Sequence, residues 1–151
     1  RKSSGVYTML GERGVKGKVN IEVGVKGTNI RDKVTFDVIP IPDPIASLNN
    51  RPKRTKLPRK AIAAGKITAA FADQRLAQAL ELEVEQFTVQ IGAKTHTVKG
   101  SDRFDGTAKN AIVKLARKGE RITISNIRAS SRKYKKKIFI PINVVSLTVA
   151  D

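Results

Sequence analysis

The sequence contains no cysteine and no tryptophan, and it has a single histidine among 151 residues. Without cysteine the chain cannot form a disulfide, use a thiolate nucleophile or hold zinc through sulfur. Aromatic residues make up only 5%, so the core has to be built from Val, Ile, Leu and Ala. No run of about 18 apolar residues occurs, so the sequence predicts no membrane-spanning helix.

Acidic residues are also scarce, with 13 Asp and Glu against 30 Lys and Arg, which gives a formal net charge of +17. Such a charge attracts polyanions and acidic surfaces, but it does not determine the fold. Binding of nucleic acid or another acidic polymer is therefore an alternative to be weighed. The chain starts at Arg1 without a signal peptide, and we expect it to be a piece of a longer protein.

The first 42 residues read as strands separated by turns. Residues 18–25 place Val and Ile at every odd position, which predicts a half-buried strand. Val6–Leu10 and Val34–Val38 predict two more. Since three strands are marginal alone, we expect residues 1–42 to be the C-terminal part of a β-sandwich completed by upstream strands or by another copy. The proline-rich stretch 39–44 predicts a stiff linker and a boundary to a second domain, residues 43–151.

The second domain opens with residues 51–60, whose sequence RPKRTKLPRK predicts an exposed basic loop. A short helix is expected at Lys60–Ala64, and 67–72 is either a strand or a helical turn. From Leu80 the apolar residues alternate, first at even and then at odd positions. This shift predicts a strand with a β-bulge near Glu85-Gln86, because one inserted residue restores the buried face.

One helix is predicted near residues 107–118, where four apolar residues form a single stripe: Ala108, Ala111, Ile112 and Leu115. Asp105 or Thr107 can cap its start, and Gly119 is expected to end it. Strands follow at 121–128 and 138–149, joined by a basic stretch that suggests a long exposed hairpin arm. The expected fold is all-β and elongated, with β-sandwich-like domains and one short helix.

Few residues offer catalytic chemistry. His96 has no carboxylate at metal-ligand spacing, and we interpret it as an exposed or core strand residue. Asp102 and Asp105 could form a carboxylate pair, but a turn and capping role suits their position before the helix better. We therefore predict no enzyme, no metal site and no cofactor.

Two basic clusters carry the exposed charge. The first basic cluster consists of Arg51, Lys53, Arg54, Lys56, Arg59 and Lys60; the second consists of Arg128, Arg132, Lys133, Tyr134, Lys135, Lys136 and Lys137. Either cluster could grip phosphates, with Tyr134 stacking on a base. The alternative is that both are solvated loops.

Several motifs follow one another in a recognisable order. They are Gly5–Thr8, Gly17–Val23, Val38–Pro44, Ala61–Gly65, Phe87–Val89 and Ala116–Ala129. In this order they resemble the C-terminal region of the GldM/PorM family of the type IX secretion and gliding motility machinery. Three features depart from the family. The inner-membrane helix and the helical first domain are missing, so we expect a fragment or a short relative. Residues 75–85 replace an aromatic-acidic stretch, and the charge is unusually basic.

The resemblance implies a dimeric, elongated periplasmic shaft built of β-domains, whose parent protein is anchored in the inner membrane. It implies a non-catalytic module that transmits force and contacts an outer-membrane-associated lipoprotein ring. Under this hypothesis the residues that contact the ring are the second basic cluster and four members of the first: Arg51, Lys53, Arg54 and Lys56. This segment is expected not to touch the membrane, and nucleic acid is the less favoured partner.

Overall fold

A computed structural model of the chain describes residues 17–38, 40–51, 54–134 and 137–151. The chain divides into two compact units, Arg1–Pro42 and Asp43–Asp151.

The first unit contains an antiparallel hairpin of two strands, β1 (Gly17–Gly24) and β2 (Arg31–Val38). Its turn is closed by the backbone N–H of Val25, which donates to the carbonyl of Ile30 at 3.1 Å. Gly27 has a φ of 82°, which favours glycine at this position. The strands predicted at 18–25 and 34–38 are confirmed, and the one at Val6–Leu10 lies outside the described residues.

The apolar face of this hairpin is exposed. Val19 pairs with Phe36, and Ile21 with Val34, on the same face. The side chains of Val34 and Phe36 are about half exposed. A two-stranded hairpin is marginal in water without something covering its apolar face, so these two strands do not amount to a stable unit alone.

The described residues of the second unit form eight strands and three helices. In chain order they are β3 (Ile45–Leu48), β4 (Arg54–Leu57), α1 (Arg59–Ala63), β5 (Ile67–Ala70), α2 (Gln74–Leu80), β6 (Leu82–Ile91), β7 (Lys94–Lys99), α3 (Gly106–Leu115), β8 (Arg121–Ser131), β9 (Ile138–Phe139) and β10 (Val145–Val149). The all-β prediction is confirmed.

Six of these strands form one sheet in the order β4-β10-β8-β6-β7, with β9 pairing to β8. All neighbours are antiparallel except β4 and β10, which run parallel. Strand β10 pairs with the first residues of β8, at Arg121–Ile124, whereas β9 pairs near its end, at Ala129 and Ser130. The strands β3 and β5 form a separate antiparallel ladder.

One face of the sheet is covered. The β3–β5 ladder and the helices α1 and α3 supply residues to the same core as the sheet. The largest fully buried side chains include Phe87, Phe104, Leu48, Ile62, Ile67, Leu80, Ile112, Ile122, Ile124 and Leu147. Phe87 meets Phe104 edge to face, with ring centroids 5.4 Å apart. Phe87 and Phe104 thus form an aromatic pair within an otherwise aliphatic core.

The predicted bulge is confirmed. The register of β6 against β8 shifts between Val84 and Gln86, and again between Gln86 and Thr88. Asn126 on β8 has a φ of 50° at the same place, a conformation that Asn tolerates better than most residues. The two shifts keep Val84 and Phe87 on the buried face, as the change from even to odd apolar positions requires.

The helices were only partly predicted. The short helix at Lys60–Ala64 is confirmed as α1, and 67–72 proves to be a strand, β5. Helix α2 was missed, and the strand expected from Leu80 begins at Leu82. Asp73 caps α2 by accepting the backbone N–H of Arg75 at 2.7 Å. Seven residues give too few turns for a helical period to emerge from the sequence.

The predicted helix near 107–118 is confirmed as α3, although it is shorter. Asp105 caps it by accepting the backbone N–H of Ala108 at 2.7 Å, as one of the two capping options predicted. The helix ends at Leu115 because Ala116 is extended. Gly119 therefore does not end the helix; with a φ of 81° it forms the following turn, where its N–H donates to the carbonyl of Val149.

The strand expected at 138–149 is in fact two, β9 and β10. Pro141 stands between them, and proline has no N–H to donate to a ladder. The side-chain amide of Asn143 instead pairs with the backbone of Ala46 on β3: it accepts from the Ala46 N–H at 2.8 Å and donates to its C=O at 2.9 Å. This segment is thereby held without continuous strand pairing.

Candidate interaction surface

The first basic cluster is not an exposed loop, which corrects the prediction for residues 51–60. Residues 54–57 form β4, which lies parallel to β10, and α1 begins at Arg59. Leu57 is buried and anchors the strand. In the sequence Pro52 and Pro58 flank β4, so neither proline has to donate to its ladder. Lys53 lies outside the described residues.

Arg59 acts within the fold. Its backbone N–H donates to the carboxylate of Asp151 at 2.8 Å, and its Nε lies 3.5 Å from the same oxygen. The backbone hydrogen bond lowers the pKa of the Asp151 carboxyl. The Arg59 guanidinium also donates to the carbonyls of Val113 and Ala116 at the end of α3, where the helix dipole favours a cation. Arg51, Lys56 and Lys60 remain as exposed cations of this cluster.

The second basic cluster is not a long exposed arm. Strand β8 continues to Ser131, and both Ser130 and Ser131 are buried. Their hydroxyls donate to the Glu85 carboxylate and to the carbonyl of Leu80. Strand pairing therefore extends further than predicted, and the described residues of the hairpin loop that follows β8 are Arg132, Lys133, Tyr134 and Lys137. Lys135 and Lys136 lie outside the described residues.

Two cations of this cluster are held by acids. Arg132 Nε lies 3.1 Å from Glu83 Oε2, and this hydrogen bond raises the pKa of the guanidinium. Lys133 Nζ lies 3.2 Å from Glu81 Oε1 and donates to the carbonyl of Gln78 at 3.0 Å. All four side chains are largely exposed, so each pair contributes little to stability. The pairs nevertheless direct Arg132 and Lys133 toward the protein.

The remaining members differ in their surroundings. Tyr134 is partly exposed, and its N–H donates to Ser131 Oγ at 3.1 Å. Lys137 Nζ lies 5.9 Å from the centroid of the Phe139 ring, within reach of a cation–π interaction. Arg128 is exposed on β8. It is therefore the strand-borne cation of this cluster.

The two basic clusters do not merge into one patch. Strand β4 reaches β8 only through β10, which pairs with β8 at Arg121–Ile124. Arg128 and the hairpin loop lie at the other end of β8. At about 3.3 Å per residue, Arg121 and Arg128 are separated by about 23 Å. The charge is therefore spread along the sheet between two separate clusters.

The face of the sheet opposite the core is lined by polar side chains. Thr88 and Thr97 face each other across β6 and β7 with their hydroxyls 3.2 Å apart. Gln86 stands between Lys99 on β7 and Arg128 on β8. An antiparallel sheet commonly keeps one such solvated face. Sequence analysis singled out neither this face nor Lys99.

One group of exposed side chains breaks this polar pattern. They are Ile138, Ile140, Ile142 and Val144, which we call the aliphatic row. The signal was present in the sequence: in 138–145 both the even and the odd positions are almost entirely apolar. Since successive side chains of an extended segment point to opposite sides, only the odd-numbered set can enter the core, and the even-numbered set is left exposed.

Two of the residues considered for catalysis, Asp102 and Asp105, have structural partners instead. Asp105 caps α3, and Asp102 Oδ2 lies 2.7 Å from Lys66 Nζ. His96 pairs with Val89 in the β6–β7 ladder, and its Nε2 is buried without a hydrogen-bond partner among the described residues. Within the part of the chain that the structure describes, no three His, Asp or Glu side chains are grouped so as to hold a metal ion.

These features define a β-sheet module with one face packed against helices and the other open. The profile of the GldM C-terminal domain family matches residues 40–147. The chain therefore belongs to this family, and it is a GldM-like component of the type IX secretion and gliding motility machinery. The match covers most of the second unit and leaves residues 1–39 outside it. No curated protein matches the chain. Each helix among the described residues is too short or too polar to cross a bilayer.

Proposed function

We propose that this chain is a non-catalytic periplasmic module that binds a partner and transmits force within the type IX machinery. The observation that carries the proposal is the family match over residues 40–147. The sheet suits such a role, because β6 and β8 share eight paired residues.

The partner we propose is the outer-membrane-associated lipoprotein ring of the same machinery. Arg128 and Lys99 are exposed cations on the open face of the sheet, and they would meet acidic groups on the ring. The test is a titration of the purified chain with the purified ring lipoprotein, at low and at physiological salt. We expect binding that survives physiological salt.

A matched pair of variants separates this contact from overall charge. Arg128→Glu should weaken ring binding, whereas Arg121→Glu makes the same charge change at the far exposed end of β8 and should have a smaller effect. A folded Arg128→Glu variant that binds as well as the wild type would show that this end of the sheet is not the contact. A wild-type chain that does not bind the ring would overturn the proposed partner.

The second candidate function is binding of nucleic acid or another acidic polymer, which the net charge of +17 favours. Binding through phosphates weakens with salt by roughly 0.9 log units per log unit of salt for each phosphate neutralised. The pairing of Arg132 and Lys133 with Glu83 and Glu81 counts against it, because these cations already have acidic partners. DNA binding that outlasts ring binding at physiological salt would reverse this preference.

Homodimer formation is part of the proposal. The exposed apolar face of the β1–β2 hairpin, with Val34 and Phe36, is the surface that a second copy would cover. Sedimentation equilibrium should then give a dimer for the wild type and a monomer for Phe36→Asp. An unchanged mass would contradict a dimer contact at this face.

A further inference from the structure

The aliphatic row lies in a segment in which exposed and buried side chains alternate along the chain. Ile138, Ile140, Ile142 and Val144 are 55%, 53%, 65% and 54% exposed, while the intervening Phe139 and the following Val145 are buried. The same alternation of odd-numbered buried and even-numbered open positions continues into β10. There Leu147 and Val149 are buried, and Ser146 and Thr148 face the open side. Four exposed aliphatic side chains so close together in the chain exceed the scattered single apolar residues that are normal on a monomer, and groups of exposed apolar side chains are often functional.

The backbone that carries the row is held at several points. Phe139 packs edge to face against Phe71, with centroids 5.4 Å apart. The N–H of Ile142 donates to the carbonyl of Pro44 at 3.1 Å. Asn143 binds both backbone groups of Ala46. The four aliphatic side chains are thus presented on a preorganised backbone, which lowers the entropic cost of binding.

The charge beside the row is unbalanced. Arg128 and Ile138 line the same polar groove, of about 590 Å³, together with Lys99. Of the three acids of that groove, Glu83 pairs with Arg132 and Asp102 with Lys66, whereas Glu85 accepts from the neutral Ser130 hydroxyl and keeps its charge. The groove therefore has one uncompensated acid against two cations, Arg128 and Lys99. Among the described residues, Arg128 and Lys99 have no such ion pair. The Ile138 end of the row is therefore flanked by available positive charge.

We infer that the aliphatic row is a docking surface for a protein partner that offers an apolar strip bordered by carboxylates. The inference rests on the proposed function and names the surface through which it works. A second copy of this chain fits poorly, because it would bring Arg128 and Lys99 against cations of the same kind. A membrane surface also fits less well, because interfacial segments favour Trp and Tyr, whereas this row is purely aliphatic.

The test uses two variants of the full chain with the same chemical change. Ile142→Asp alters the most exposed member of the row, and Leu115→Asp alters a 45% exposed leucine on α3, which packs on the other side of the sheet. Thermal unfolding first verifies that both variants fold. In titrations with the purified ring lipoprotein, the Kd should rise about tenfold or more for Ile142→Asp. Leu115→Asp should bind as the wild type does.

A photo-crosslinking residue placed at position 142, with position 115 as control, provides the second measurement in cells. An adduct with the lipoprotein at 142 and none at 115 supports the inference. If the wild type binds the ring and Ile142→Asp binds it equally well, the docking surface is wrong while the proposed function stands. If the wild type does not bind the ring, the proposed function fails, and the inference fails with it.

Two further outcomes would also overturn the inference. In the first, anionic phospholipid vesicles bind the wild type and release Ile142→Asp, which would assign the row to a membrane. In the second, the wild type sediments as a dimer and Ile142→Asp as a monomer, which would assign the row to contact between copies.

Discussion

Replacing Asn143 by alanine should loosen the segment that carries the aliphatic row. The Asn143 amide is the partner of both the N–H and the C=O of Ala46, at 2.8 and 2.9 Å. Ala46 is fully buried, and both of its groups point away from β5, to which β3 is paired on its other edge. The substitution therefore leaves two buried backbone groups without their partner.

The expected cost follows from those two groups. An unsatisfied buried backbone group costs about 1–3 kcal/mol. Because Asn143 itself is only half buried, water can reach the vacated site, and we expect the pair to cost about 2–3 kcal/mol. For a domain of this size, 1 kcal/mol corresponds to about 4 °C in melting temperature. Asn143→Ala should therefore lower Tm by about 8–12 °C.

The assay is thermal unfolding followed by circular dichroism, with two companion variants. Asn143→Asp keeps the acceptor for the Ala46 N–H but sets a carboxylate oxygen against the Ala46 carbonyl. It should be destabilised at neutral pH and recover in part as pH falls, because a protonated carboxyl can donate. Asn110→Ala, on the exposed side of α3, should change stability by no more than about 0.5 kcal/mol. An Asn143→Ala variant that melts within about 2 °C of the wild type would refute the reasoning.

Three further predictions concern the second unit. Asp105→Ala should cost about 1 kcal/mol in urea unfolding because α3 loses its cap, and Asp105→Asn should cost much less; equal losses would contradict the capping role. Gly65→Ala should cost about 1–3 kcal/mol, because the added Cβ would lie 2.5 Å from Leu48 Cδ1 in the core; an unchanged urea midpoint would show that Leu48 can move away. In stopped-flow binding to the ring lipoprotein, Lys56→Glu should slow association at low salt and leave dissociation unchanged, whereas Ile142→Asp should speed dissociation; faster dissociation from Lys56→Glu would place β4 inside the contact.

The fold was predicted best where one face of a long strand is buried. Strand β6 shows this, since ten residues of alternation revealed both the strand and its bulge. Helix α3 was equally accessible, because its stripe spans several turns and Asp105 marks its start. Periodicity fails for short elements, and α2 was missed because its seven residues contain just two large apolar side chains, Leu76 and Leu80.

The basic segments were mispredicted for a different reason. A Lys or Arg in the sequence indicates that the charged end of its side chain is exposed. The backbone at that residue can still belong to a strand whose neighbouring side chains are buried. In β4 the buried Leu57 anchors the strand, although the segment is strongly basic. In β8, Ser130 and Ser131 are buried through hydroxyl bonds to Glu85 and Leu80. Those partners lie about fifty residues earlier in the chain, where local pattern cannot reveal them.

The same reasoning decides which part of the surface can give specificity. Exposed cations accelerate encounter with any acidic surface, and salt screens them. Affinity that persists at physiological salt has to come from apolar contact or desolvated pairs. The Ile138 end of the sheet brings exposed aliphatic side chains next to Arg128 and Lys99. The first basic cluster lies at the opposite end of β8, and its Arg59 is committed to Asp151 and the end of α3. Specific binding is therefore expected at the Ile138 end, with the first basic cluster adding long-range attraction.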